Sequence, residues 1–203
     1  MESKKYKIIY ADPPWSYGDK RTGKGKNNPN GAGGAKKHYR TMSPDDLYKL
    51  PIQQICDDNC MLFMWATSPQ IPIAINLIKS WGFNYKTVAF VWVKMKNDMT
   101  EPRGDGIGSY TLSNAEYVLV ATKGKYWRND ATARQILLHP KLSHSEKPNE
   151  IRNRIIKLAG DLPRVELFAR EKKEGWDVWG NEVESDISLT PIKYVSSFEA
   201  NQD

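Results

Sequence analysis

Apolar residues fall in short runs along this chain, and each run carries its own period. Residues 6–11 (YKIIYA) are β-prone and mostly apolar, the pattern of a strand buried on both faces. Asp12-Pro13-Pro14 must end that strand, because two successive prolines offer no ladder donor. Residues 61–66 (MLFMWA), 87–94 (TVAFVWVK), 116–122 (EYVLVAT), 164–168 (RVELF) and 177–179 read as further strands. Helices are predicted at 43–50, where Ser43-Pro44-Asp45-Asp46 is an N-cap with proline and acids in the first turn, and at 70–81. A third is predicted at 148–158. There Ile151, Ile155, Ile156 and Leu158 form the apolar stripe, and Arg152, Asn153, Arg154 and Lys157 face water.

Strands alternating with helices predict an α/β sheet with helices on both faces and ligands at the carboxyl ends of the strands. At 203 residues one domain is expected, spanning 1–184, with 185–203 as a C-terminal tail. Two stretches lack periodicity and read as flexible loops, 16–42 and 95–113.

Composition narrows the partners. Lys+Arg 30 against Asp+Glu 24 leaves a formal charge of +6, which modestly favours polyanions. Lys20, Arg21, Lys24, Lys26, Lys36, Lys37 and Arg40 crowd the first loop, with Asp19 the single acid. They would meet phosphates, giving affinity without sequence information, and Lys94, Lys96, Arg103, Lys123, Lys125 and Arg128 extend the patch. A solvated loop is the alternative. Cys56 and Cys60 stand without the further ligands that a zinc site needs, so no metal is expected. No run approaches the ~20 apolar residues that cross a bilayer, and the N-terminus is no signal peptide. A soluble, reduced, cytoplasmic protein is the expectation.

The sharpest chemical signal is Asp12-Pro13-Pro14-Trp15 directly after an apolar strand. At average residue usage such a tetrad arises by chance in about one chain in a thousand of this length. A rigid strand end with a carboxylate and a fixed backbone carbonyl suits the gripping of an amine. The amine of adenine is a poor nucleophile because its lone pair is delocalised. Two acceptors on its hydrogens pull that pair out of conjugation, and a tryptophan can stack on the base. A proline turn that buries a tryptophan is the plain alternative.

A family resemblance follows from motifs in a fixed order. They are Asp12-Pro13-Pro14-Trp15, Leu62-Phe63-Met64-Trp65, Val91-Trp92-Val93-Lys94, Asn114-x-Glu116, His144-x-x-Lys147-Pro148, Glu166-Leu167-Phe168-Ala169-Arg170 and Gly175-Trp176-x-x-Trp179-Gly180-Asn181-Glu182. From residue 7 to 182 the chain resembles the MT-A70 family of adenine methyltransferases. The resemblance implies a Rossmann-like S-adenosyl-L-methionine-dependent fold with permuted motif order, the catalytic motif first and the cofactor motif last. It implies gates over the site at the loop after Trp15 and the loop before Lys147.

By the same resemblance Asp12, Pro13, Pro14 and Trp15 are catalytic, and Asp12 also meets the cofactor's amino group. Lys147 pairs with the cofactor's carboxylate; a solvated lysine at a helix start is its alternative. Leu167, Phe168 and Arg170 line the cofactor pocket, and Asn181 and Glu182 hold ribose hydroxyls or adenine. Asn114, Glu116 and Tyr39 approach the target base, beside Trp15, Lys36, Lys37 and Arg40. Glu166 organises the pocket rather than touching substrate.

Glu171, Lys172 and Lys173 stand where messenger-RNA relatives carry a histidine-asparagine pair, so those contacts do not transfer. The minimal form resembles bacterial and phage DNA enzymes, which puts DNA ahead of RNA as the substrate. A homodimer or a heterodimer with a related subunit is implied as well. A catalytically silent binding partner is the rival class, and retention of all four motif residues argues against it.

Overall fold

The computed structural model describes residues 4–15, 42–103, 110–125, 127–143 and 146–189. Its frame is a seven-stranded sheet in the order β5-β3-β4-β2-β1-β6-β7. The strands are β1 (Tyr6–Ala11), β2 (Cys56–Ala66), β3 (Asn84–Met95), β4 (Ala115–Lys123), β5 (Ile136–Pro140), β6 (Arg164–Leu167) and β7 (Asp177–Trp179). Parallel pairings join β2, β1, β6 and β7, and β3 runs parallel to β5. Only β4 runs against its neighbours, β2 and β3. The mixed α/β sheet is the expected class.

Side chains alternate across the sheet and feed two cores. Ile9, Ala11, Leu62, Met64, Leu119, Ala121, Val165 and Leu167 face one side, where α1 (Pro44–Tyr48) and α2 (Ile71–Ser80) contribute Leu47, Ala74, Leu77 and Ile78. Ile8, Tyr10, Met61, Phe63, Trp65, Val118 and Val120 face the other, covered by Ile151, Ile155 and Ala159 of α3 (Glu150–Ala159). Period-two alternation on strands buried on both faces is why the runs read as continuously apolar.

Four local expectations need correction. β5 did not stand out, being short, closed by Pro140 and half uncovered, with Ile136 and Leu138 over half exposed. It is held from outside its own sequence, because Arg154 donates to the Arg134 and Ile136 carbonyls at 2.7 and 2.9 Å. β2 starts at Cys56, earlier than its apolar run, and its register with β1 is irregular between the Tyr6–Cys56 and Ile8–Met61 pairs. Gly124 accommodates that stretch, since a Cβ there would lie 2.1 Å from the Asp58 carbonyl oxygen. On α3, Arg152 is buried rather than solvated. Finally, packing continues beyond 184: Ile187 and Leu189 join the first core, and Asp186 accepts from the Val178 amide.

Part of the second loop is ordered by its own hydrogen bonds. The Lys96 amide donates to the Glu101 carbonyl at 3.0 Å, and Asp98 accepts from the Thr100 amide and hydroxyl. Among the described residues no helix is long and apolar enough to cross a membrane.

Candidate active site

Successive connections leave β1 in opposite directions, to β2 on one side and from β6 to β7 on the other. Such a switch point leaves a crevice beyond the carboxyl ends of the strands. A cleft of about 430 Å³ opens there, within the range of small-molecule sites.

Asp12 sits at the mouth of this cleft because β1 stops under it. Its amide makes the last ladder bond, a long one of 3.4 Å to the Leu167 carbonyl. The chain then folds back, the Trp15 amide donating to Pro13 at 2.8 Å and the Met42 amide to Pro14 at 3.1 Å. Each carbonyl oxygen keeps a second lone pair. Trp15 is only 6% exposed, and its indole donates to the Trp65 carbonyl at 3.3 Å. It braces the proline turn from behind and does not line the cleft.

One wall is ionic. Lys147 Nζ lies 3.0 Å from Asp12 Oδ2 and 3.3 Å from Glu116 Oε2, while Lys94 Nζ reaches Glu116 Oε1 at 2.8 Å. The ammonium of Lys147 also stands over the Trp65 ring at 5.4 Å. Two carboxylates thus accompany the cation placed just ahead of α3. Burial raises the pKa of Asp12 above the usual carboxylate range, and Lys147 only partly offsets this. Burial acts on Glu116 in the same sense, but Lys147 and Lys94 outweigh it and hold Glu116 below its ordinary value. Against its own desolvation, Lys147 is pushed up by Asp12 and Glu116 and stays charged.

The opposite wall is aromatic and open. Phe168 adopts a left-handed φ of 63° where β6 ends, and its ring meets Trp179 edge-on at 5.4 Å. Gly180 follows β7 so closely that a Cβ would fall 1.9 Å from the Ala169 carbonyl oxygen. Arg170 and Glu182 pair loosely across the rim at 3.5 Å, with Asn181 beside them.

The floor carries a pair that the sequence reading missed. Arg152 forks onto Glu166, Nε to Oε2 and Nη2 to Oε1, both at 2.7 Å. Glu166 was a visible signal for it: an acid inside an apolar strand requires a buried cation, and α3 packs on that face. Burial raises the pKa of Glu166 against the pull of Arg152.

The cleft therefore gathers Asp12, Pro13, Pro14, Lys147, Phe168, Arg170, Asn181 and Glu182, and adds Met42, Arg152 and Trp179. Glu116 joins through Lys147 rather than by lining it, and Asn114 contributes its carbonyl to the Lys94 amide. Leu167 is wholly buried in the core, not on the pocket surface. Lys36, Lys37, Tyr39 and Arg40, with the rest of 16–41 and His144, lie outside the described residues. The proposed basic patch divides. Lys94 turns inward to Glu116, whereas Lys123 pairs in register with Cys60 at the end of the sheet away from Asp12. Lys125 lies at that far end too, its amide donating to Asn59 Oδ1 at 2.6 Å.

Comparison with known proteins identifies the family. Residues 6–182 match the MT-A70 family. The chain is 44% identical over 199 residues to a Mycoplasma protein named type II methyltransferase M.MunI, covering 90% of this chain and 80% of that one. It is 25% identical to the human N(6)-adenosine-methyltransferase catalytic subunit METTL3, and 27% to the mouse N(6)-adenine-specific methyltransferase METTL4. Those alignments cover 92% and 89% of this chain but 30% and 38% of the relatives, so the chain spans about a third of their length. With a family match that runs almost end to end, the chain belongs to the MT-A70 family of N(6)-adenine methyltransferases.

Proposed function

We propose that the chain transfers the methyl group of S-adenosyl-L-methionine to the exocyclic amine of adenine in DNA. The carrying observation is Asp12: a carboxylate in a cleft mouth, held by Lys147 at 3.0 Å, beside the free lone pairs of two rigid proline carbonyls. The cleft's donor set suits a zwitterionic nucleoside, with cations at Lys147 and Arg170, acceptors at Asp12, Asn181 and Glu182, and aromatic faces at Phe168 and Trp179. When bound, that cofactor supplies an electrophilic methyl on sulfur. Lys147 would hold its carboxylate, and Asn181 and Glu182 its nucleoside hydroxyls.

The chain's own part is positioning. Asp12 accepts one amine hydrogen and the Pro13 carbonyl another, which localises the nitrogen lone pair toward the methyl. Trp15, Pro14 and Met42 keep that grip from yielding. Glu116 and Lys94 hold Lys147 in place, so the carboxylate stays aimed into the cleft. Duplex DNA would have to release the base from its stack before it could enter.

DNA is favoured because the likeness at 44% identity is to a protein named as a type II methyltransferase, while the relatives named for adenosine methylation share about a quarter of residues. Transfer of labelled methyl to matched DNA and RNA, single- and double-stranded, tests this. Incorporation into DNA adenine is the expected result. Transfer confined to RNA would reverse the substrate, and none to either would leave the silent binding partner.

A further inference from the structure

We propose that Arg152 is a positioning residue for the amino-acid end of the cofactor, acting by tying the two walls of the cleft together. This rests on the reading that the cleft takes S-adenosyl-L-methionine. The guanidinium spends three N–H groups, two across to β6 and one back to the start of its own helix. Nε and Nη2 grip the Glu166 carboxylate on β6, and Nη1 donates to Asn149 Oδ1 at 2.7 Å. The guanidinium also stands 5.4 Å over the Tyr10 ring, whose hydroxyl accepts from Trp65 Nε1 at 2.5 Å. Trp65 lies under Lys147.

Asn149 sharpens the argument. It occupies the N-cap position of α3, where an asparagine side chain ordinarily accepts from the first free amides. Its own backbone is already helical, with φ −58° and ψ −27°, so it makes no such bond, and its Oδ1 accepts from Arg152 Nη1. Lys147 lies two residues earlier on the same segment, and Phe168 two residues beyond Glu166. Arg152 thus fixes the spacing between the cation at Asp12 and the strand end that shapes the opposite wall. A buried ion pair is a weak source of stability compared with apolar packing, so a purely structural role predicts that an apolar pair can replace it. A positioning role predicts that it cannot.

The test compares binding of S-adenosylhomocysteine with that of 5′-methylthioadenosine, which keeps the nucleoside and thioether but lacks the amino acid. Calorimetry on the full chain should show Arg152→Met weakening S-adenosylhomocysteine about tenfold, the scale of a lost charged hydrogen bond, with methylthioadenosine changed less than about twofold. The double variant Arg152→Met/Glu166→Leu removes the stranded carboxylate and should regain the urea midpoint without regaining that affinity. Arg152→Lys keeps the charge but loses the fork, and it should show the same selective loss in a folded protein. The KM for the cofactor should rise more than kcat falls. Equal losses for both ligands, or recovered affinity in the double variant, would overturn the role of Arg152. Wild-type protein that binds neither ligand would overturn the cofactor reading beneath it as well.

Discussion

The two walls of the cleft are built on opposite plans. On the side of β2 and β4, Asp12, Lys147, Glu116 and Lys94 form a chain of ionic contacts between 2.8 and 3.3 Å, each lysine and Glu116 at most 15% exposed. On the side of β6 and β7, above the Arg152–Glu166 floor, the rim pair of Arg170 and Glu182 is 3.5 Å long and open to water, and the surface is carried by Phe168 and Trp179. Charges that are close, desolvated and fully paired are preorganised, as a reacting centre requires. Aromatic faces and loose rim charges recognise a ligand without fixing a reacting atom. Under the proposed function the reacting amine is gripped at the first wall, and the second contributes recognition of the nucleoside.

The widest way to break this contrast is at Asp12. Asp12→Ala should lower kcat by on the order of 10²–10³-fold, the cost of removing one preorganised polar contact, while S-adenosylhomocysteine still stabilises the protein thermally. A variant that methylates at the normal rate would put the chemistry elsewhere. Next is Lys147→Met, which strands Asp12 and leaves Glu116 to Lys94 alone. Removing one partner of a buried pair costs about 3–5 kcal/mol, read as a lower urea midpoint at neutral pH. On the open wall, Arg170→Ala should cost less than about 1 kcal/mol of stability and a few-fold in cofactor affinity. Stability losses of equal size at the two walls would erase the distinction.

A smaller effect sharpens it by pH. Asp12 must be ionised to accept the amine hydrogen, and its folded pKa is raised by burial. As pH falls, kcat should therefore begin to drop at a higher pH than an ordinary aspartate would give. Glu116, held low by its two lysines, should add no limb of its own in that range. Glu116→Gln removes a negative neighbour of Asp12 and should move the limb to lower pH. A limb that stays fixed in a pH–kcat profile would mean that Asp12 does not titrate in it.

The first wall was partly legible along the chain. Asp12-Pro13-Pro14 announces itself because proline has a fixed backbone meaning, and Lys147 before a helix start asks for an anion. Which anions it meets was invisible, because Asp12 and Glu116 come from strands distant in sequence. Trp15 misled for the same reason: its identity fits stacking, and only the fold shows its indole on the Trp65 carbonyl. Arg152 failed through periodicity, which sorts charged residues to the water side of a helix and has no means of seeing Glu166 beneath it. β5 escaped because tertiary support from Arg154 substitutes for an internal pattern.

The reversed direction of β4 has one more consequence. Because it runs against β3, the two strands form a hairpin whose connected end points toward the cleft, with Trp92 paired to Glu116 and Val93 to Ala115. Lys94 and Glu116 clasp that end just below the connecting segment. Whatever segment is hung from the clasp, its length and sequence can change while the ions behind it keep their places.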